Sequence, residues 1–268
     1  MIAPLVTIGI PVFNCGKTIL KTMKSVLDQT LQDFEVLIYD DGSSDDTVKL
    51  IRELKDARIQ IFQDGENRGI AYRLNQLIDL AKGTYFVRMD GDDMMFPERL
   101  EKQVKYLQAH SEIDVVGSSA VVIDENDQTL GQRGGSVRAW RMDDLFMSAR
   151  FIHPTVAGKT TWFKTWRYDE KLSGCEDMDL WIRSFKESRF ADIPEPLLYY
   201  RESLTLRLPT YLKRQRLLFK YAWSQIKIMD HRSKILLISG KIILSSVAAI
   251  VMHGLGCDEK MIRKRNKG

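Results

Sequence analysis

The sequence is poor in the residues that mark several protein classes. Among its 268 residues are three cysteines, seven prolines and 17 glycines. Cys15, Cys175 and Cys257 are too scattered for a disulfide framework or a zinc site, so a reducing compartment is the simpler expectation. The low glycine and proline content excludes a fibrous chain, and a hydrophobic fraction of 44% excludes a disordered one. No G-x-G-x-x-G follows the first apolar run and no G-x-x-x-x-G-K-[ST] occurs, which sets aside dinucleotide enzymes and phosphate-loop NTPases. Residues 1–14 lack the charged start of a secretory signal.

What the sequence does have is an uneven charge. Residues 207–268 carry 14 Lys and Arg against 3 Asp and Glu, a net +11, which leaves −7 on residues 1–206 out of a total of +4. An acidic body with a basic tail points to an anionic partner, either nucleic acid or anionic lipid. The division expected is therefore 1–206 for the body and 207–268 for a helical tail.

Within the body, strand and helix patterns alternate. Short β-branched runs at 5–12, 34–39, 58–63 and 84–89 are separated by segments with helical apolar spacing at 17–29, 47–55 and 69–81. This predicts an α/β fold with a mostly parallel central sheet flanked by helices. Pro97 opens a helix through Ala109, 114–123 is a strand, and Glu125–Gln128 turns into a return strand. Residues 131–168 read as irregular, 176–187 as a helix, and 194–200 as the closing strand.

In such a sheet the ligand crevice lies beyond the carboxyl ends of the strands. The residues there are Pro11–Asn14, Asp40-Asp41 and Asp90-Gly91-Asp92-Asp93. Three carboxylates in four residues repel one another unless a hard cation such as Mg2+ or Mn2+ joins them, although Asp-Gly-Asp also makes ordinary turns. Glu176, Asp177 and Asp179 open an amphipathic helix, a placement the helix dipole alone favours. A carboxylate there also suits general-base work on an attacking hydroxyl. His153, in His153-Pro154-Thr155, is either structural or functional.

Taken in order, VTIGIPVFN at 6–14, SVLDQT at 25–30, FEV at 34–36, DDGSSD at 40–45, NRG at 67–69, DGDD at 90–93 and PERL at 97–100 resemble family 2 glycosyltransferases. The later His153-Pro154-Thr155 and Glu176-Asp177 are similar to that family's acceptor-side motifs, and the likeness covers about residues 4–201. It implies the GT-A fold and inverting transfer of a sugar from a nucleotide diphosphate donor, with UDP-hexose as the default and GDP or deoxythymidine diphosphate as alternatives. By the resemblance, Pro11 and Phe13 line the nucleoside pocket, Asp41 binds the base beside Asp40, and Arg73 faces the diphosphate. Asp90 with Gly91 contacts ribose or metal, Asp92 is the principal ligand of Mn2+ or Mg2+, and Asp93 is a third acid. Asp177 is the general base, Glu176 orients it or touches the acceptor, and His153 lies on the acceptor side. One departure stands out: where several relatives carry an acidic residue soon after the asparagine, this chain has Cys15-Gly16-Lys17.

The tail has its own pattern. Lys213, Lys220, Lys227, Lys234 and Lys241 recur every seventh residue, which on one helix would make a slowly turning basic stripe, broken if Asp230-His231-Arg232 interrupts it. Residues 235–252 are nearly long enough to span a bilayer but hold Gly240, Lys241 and three serines, so in-plane attachment is expected rather than a span. A second basic cluster at 260–267 favours anionic headgroups. The resulting expectation is a cytoplasmic enzyme at the inner face of a bacterial inner membrane, extending an O-antigen or capsule glycan on a polyprenyl-diphosphate carrier, with no nucleic-acid partner. The rival readings are a non-catalytic nucleotide-sugar-binding protein and a nucleic-acid-binding module using the basic tail.

Overall fold

The structure, a computed structural model, describes residues 3–135, 140–142, 145, 151–172, 174–224 and 232–266. In chain order its elements are β1 (Val6–Val12), α1 (Ile19–Leu27), β2 (Phe34–Asp40), α2 (Thr47–Glu53), β3 (Ile59–Gln63), α3 (Ile70–Leu80), β4 (Tyr85–Arg88), β5 (Met94–Met95) and α4 (Arg99–Ala109). There follow β6 (Val115–Ile123), β7 (Thr129–Arg133), β8 (Ala157–Lys159), α5 (Thr160–Trp166), α6 (Glu176–Ser184), β9 (Phe190–Arg201), α7 (Leu208–Ser224), α8 (Arg232–Gly254) and α9 (Asp258–Arg265). The strands form one sheet in the order β3-β2-β1-β4-β8-β6-β9-β5, with β7 paired to β6. Strands β1, β2, β3, β4, β6 and β9 point one way, while β5, β7 and β8 run against them.

The parallel half arises as its sequence predicts. Val6, Ile8, Ile10 and Val12 are at most 2% exposed, and Thr7 and Gly9 between them are buried too, because helices lie on both faces. Ile19, Met23 and Val26 of α1 face inward at helical spacing and join that core. Each such fully buried side chain stabilises the fold by about 1.5–3 kcal/mol.

The second half departs from the expected pattern in two places. Residues 131–168 are not wholly irregular, for β7 ends at Arg133, β8 pairs with both β4 and β6, and α5 follows directly. In α5 the buried Trp162 and Phe163 sit among the exposed Thr161, Lys164 and Thr165, and its seven residues, three of them β-branched threonines, are too few for helical spacing to show in the sequence. Strand β9 begins at Phe190, four residues before the Pro194 expected from sequence. Pro194 and Pro196 lie beside two register shifts against β6, where a missing N–H costs the ladder least.

The carboxyl ends of the aligned strands gather at one edge, bringing residues 13–14, 40–41, 90–93, 124–127 and 201 together. Glycine matters at one of these crossings. A Cβ on Gly91 would stand 2.9 Å from Cys15 Sγ and 3.0 Å from Val12 Cγ1, so the 90–93 loop can settle against the end of β1 only without a side chain there.

The C-terminal helices pack against the body. From α7, Tyr221 Oη donates to Asp179 Oδ1 at 2.9 Å, and Trp223 Nε1 donates to Ser239 Oγ of α8 at 3.0 Å. Behind α9, Asn266 is fully buried: its Oδ1 accepts from Arg133 Nε at 2.7 Å and its Nδ2 donates to Glu202 Oε2 at 2.8 Å. Its carbonyl accepts from Gln132 N at 3.1 Å, in the space that Gly131 leaves by lacking a side chain.

The basic stripe does not take the expected form. Helices α7 and α8 are separate, Lys227 lies outside the described residues, and neither does the description extend to the Lys234 side chain or to residues 230–231. The exposed face of α8 is instead apolar, with Leu236, Leu237, Ile243, Leu244, Val247 and Val251 each more than half exposed and Lys241 beside them.

Asn266→Ala removes two hydrogen bonds to charged groups and leaves Arg133 and Glu202 without that partner. It should lower the unfolding free energy by about 2–4 kcal/mol, read as a lower denaturant midpoint at unchanged slope.

Candidate functional site

The acid loop after β4 is the most strained point electrostatically. One oxygen from each of Asp90, Asp92 and Asp93 lies within 4.8 Å of the others. Asp93 is buried, its Oδ1 accepts the Arg201 N–H at 2.8 Å, and its Oδ2 has no hydrogen-bond partner among the described residues. Burial first, then the charges of Asp92 and Asp90, hold the Asp93 carboxyl well above the usual range. At Asp92 the loss of surrounding water, followed by the charge of Asp90, raises the carboxyl to about 6. Clustered oxygens, one of them buried and unpaired, with two carboxyls resisting ionisation, form a donor set that fits a hard divalent cation.

Arginines set against this loop are its internal counter-charges, and sequence reading missed them. Arg88 is buried at the end of β4 and donates to Asp90 Oδ2 at 2.7 Å, while its Nε finds no acceptor among the described residues. Arg201, at the end of β9, donates through Nε to the Asp92 carbonyl at 2.8 Å and through Nη1 to the Asp124 carbonyl at 2.7 Å, and pairs with Asp127 at 2.6 Å. Arg99 is fully buried beneath, with Nη2 on the Arg88 carbonyl at 2.9 Å, and burial lowers its pKa to about 9. One signal for Arg88 was present: it is a charge inside the otherwise apolar run Tyr85–Met89.

On the nucleoside side the predicted residues divide. Phe13 is 49% exposed, an aromatic ring left open at the strand edge, and Pro11 is half-buried in β1 behind it. Asp41 is buried and accepts from Arg68 N at 2.8 Å, Gly69 N at 3.0 Å and Arg73 Nε at 2.7 Å. Asp40 is also buried, both its oxygens 3.2 Å from Ser43 N, so it closes its own loop.

Arg73 does not stand open to a diphosphate as expected. It is wholly enclosed, and beyond Asp41 its N–H groups go to both oxygens of Asp64, to Gln76 Oε1 and to the Glu66 carbonyl. All five guanidinium donors are engaged, so Arg73 fixes Asp41 in place. Cys15, at the position where an acid was expected, lies close to Asp90 and Asp92. Burial first, with those two charges adding, pushes its thiol up to about 12, so it adds no fourth negative charge.

The three acids of α6 are sorted by their partners. Asp179 is buried between Tyr221 Oη at 2.9 Å and Arg183 Nε at 2.6 Å. Glu176 turns back onto the Gly174 N–H, and burial ahead of the Asp177 charge raises its carboxyl. Asp177 is half-buried and accepts no hydrogen bond among the described residues. Gly174 takes φ +97°, a value that suits glycine at the turn into this helix.

His153 and Tyr168 stand between the two acidic groups. His153 Nε2 lies 2.8 Å from Tyr168 Oη, and desolvation, with Arg88 and Arg214 adding, drives its pKa well below the ordinary value and leaves the ring neutral. Tyr168 is within electrostatic reach of Arg88 and Asp90 on one side and of Asp177 and Glu176 on the other. The arrangement joins the acid loop to a carboxylate unengaged among the described residues, across a neutral pair in which Tyr168 is buried and His153 half-buried.

A family model described as glycosyl transferase family 2 matches residues 7–168. The glycosyltransferase EpsE of Bacillus subtilis is 32% identical over 208 residues, spanning 74% of this chain and 73% of that one. Chondroitin synthase of Escherichia coli is 28% identical over 192 residues, 71% of this chain but 28% of that longer protein. Among solved structures, residues 1–349 of S. aureus TarS in complex with UDP align with a TM-score of 0.64 at 18% identity, covering 89% of this chain and 70% of that one. The mannosyltransferase PcManGT of Pyrobaculum calidifontis, in complex with GDP-Man and Mn2+, aligns with a TM-score of 0.64 at 18% identity, covering 92% and 72%. Both likenesses speak to fold.

The raised pKa of Asp92 has a consequence for stability. A carboxyl whose folded pKa exceeds its unfolded value of 3.8 stabilises the fold fully below that value and loses this contribution as pH rises through about 6. The metal-free protein should therefore lose thermal stability across that window, and Mn2+ should raise the midpoint more above it than below. Asp92→Asn should flatten the slope and remove most of the Mn2+ response, whereas a pH-independent Mn2+ shift would contradict the assignment.

Proposed function

The chain belongs to glycosyl transferase family 2 and has the GT-A fold, and on that premise we propose that it is an inverting enzyme moving a sugar from a nucleotide diphosphate sugar, UDP-hexose by preference, to a glycan hydroxyl. The observation that carries this reading is the pairing of the Asp90–Asp93 cluster with an Asp177 carboxylate that accepts no hydrogen bond among the described residues. In this reading the exposed Phe13 ring stacks on the base, and Asp41, held by Arg73, accepts from it. Asp92 and Asp93, with Asp90, would hold Mn2+ or Mg2+, which when bound offsets charge gathering on the departing diphosphate. The Mn2+ in the PcManGT complex supports a divalent ion in this role.

Asp177 then takes the proton of the acceptor hydroxyl as that oxygen attacks the anomeric carbon from the side opposite the leaving group. A single displacement inverts the configuration. Glu176, tied to the Gly174 N–H, fixes the first turn of α6, and the neutral His153–Tyr168 pair walls the acceptor side without adding charge. UDP in the TarS complex favours the UDP donor, GDP-Man in PcManGT keeps GDP as the alternative, and chondroitin synthase, whose product is a polysaccharide, favours a glycan acceptor.

The same proposal places the enzyme peripherally at the cytoplasmic face of the inner membrane, acting on surface polysaccharide carried by a lipid. Leu236–Gly254 has a mean hydropathy of 1.9, and only 17% of it is buried in the protein. Contacts run along one side of α8, through the buried Ile238, Ser239 and Ala249, so a single face is free to meet lipid, as in-plane attachment requires. The net +11 of residues 207–268 favours an anionic bilayer.

Two experiments follow. Asp92→Ala and Asp177→Ala should each reduce sugar transfer by at least about a hundredfold, as loss of a general base or of leaving-group stabilisation does, but only the first should abolish Mn2+-dependent UDP binding. Full transfer by Asp177→Ala would remove the general-base assignment. In flotation with anionic vesicles, Leu244→Glu combined with Val247→Glu should release the protein from the lipid fraction while leaving UDP–Mn2+ binding unchanged, and retention of the double variant would overturn the in-plane reading.

A further inference from the structure

Arg214 is an arginine with an unusual position. It lies on α7 seven residues before the buried Tyr221 and four before the half-buried Leu218, and so on the side of the helix that faces the body. That side is otherwise covered, yet Arg214 is exposed and makes no hydrogen bond or ion pair among the described residues. An inward-facing side chain that remains exposed stands at the edge of the contact between α7 and the body. That contact is with α6: Leu217, three residues on, reaches within 4.0 Å of a Cβ built on Gly174, and Tyr221 holds Asp179. The charge of Arg214 is felt at His153, Cys175 and Arg133. On the same α6, the buried Trp181 indole N–H has no acceptor among the described residues, and its ring centre is 6.3 Å from that of His153.

We propose that Arg214 is an acceptor-recognition residue which binds the diphosphate joining the acceptor glycan to its lipid. The inference rests on the acceptor-side assignment of Asp177. A diphosphate approaching Glu176 and Asp177 meets like charge, and α7 answers it with basic residues and no acid: Lys213, Arg216 and Lys220 on its outer side and Arg214 facing inward. A guanidinium with none of its donors engaged among the described residues is suited to grip such a group in a forked geometry that a lysine cannot reproduce. Beyond α7 the exposed apolar face of α8 offers a surface for the lipid chain. The sugar, the diphosphate and the lipid would then lie in sequence along α6, α7 and α8.

The test uses the full chain saturated with UDP and Mn2+, so that the donor site is filled, titrated with farnesyl diphosphate, farnesol or inorganic diphosphate and followed by tryptophan fluorescence. Farnesyl diphosphate should bind the unaltered protein. Arg214→Gln should weaken it by about tenfold to a hundredfold, the loss of charge-assisted hydrogen bonds, and Arg214→Lys should recover part of it. Farnesol should bind both forms equally weakly. Unchanged farnesyl diphosphate affinity in Arg214→Gln would overturn the proposal, as would failure of the unaltered protein to bind it. If Arg214→Gln instead weakens only the binding of anionic vesicles, Arg214 is a bilayer contact and the assignment fails. None of these outcomes depends on sugar transfer, so the proposal can fail while the glycosyltransferase reading stands.

Discussion

Three carboxylates held together at the end of one strand are the constraint around which the carboxyl edge of the sheet is built. Leaving a single buried charge uncompensated costs several kcal/mol, and here Asp93 is buried with one oxygen unpaired. Arg88, Arg99 and Arg201 offset the repulsion without removing it, since Asp92 and Asp93 still titrate above their ordinary range. The remaining imbalance is what a divalent cation can satisfy. A loop fully neutralised by arginine would have little reason to bind metal, and one with no arginine would have difficulty staying folded without it.

Arg201 transmits this constraint through the fold. Its side chain reaches the Asp92 and Asp124 carbonyls and Asp127, so the acid loop and the β6–β7 turn are fixed by the last residue of β9. Where that residue falls depends on the register of β9 against β6, which shifts beside Pro194 and Pro196. Prolines that look like strand breakers in the sequence thus help to set the position of the guanidinium that holds the acid loop.

Local patterns made the parallel half and the acid loop legible in the sequence. Apolar alternation, helical spacing and three aspartates within four residues need no knowledge of distant partners. The counter-charges were not legible for the opposite reason: Arg201 meets Asp92 across 109 residues, and nothing in its neighbourhood distinguishes it from a surface arginine. Arg73 was misjudged likewise, because Asp41 and Asp64 lie on other elements and only folding encloses it. In the tail, the seven-residue lysine spacing described position along the chain and ignored which side of α8 packs. That side is set by Ile238, Ser239 and Ala249, and their burial turns the leucines outward.

The acids at the start of α6 illustrate how one local sequence is divided by tertiary contacts. All three gain from the helix dipole, yet Asp179 is taken by Tyr221 and Arg183, Glu176 by the Gly174 N–H, and Asp177 by none of the described residues. Tyr221 belongs to α7, so the C-terminal segment takes part in deciding which acid remains available. The same segment is anchored at its far end by Asn266, which binds Glu202, the residue directly after Arg201. Contacts from one appendage therefore border the catalytic edge twice, at the unengaged carboxylate and beside the clamp on the acid loop. If the apolar face of α8 rests on a bilayer, that surface bears on both halves of the reaction through packed side chains, and the lipid side of the enzyme is continuous with its chemistry.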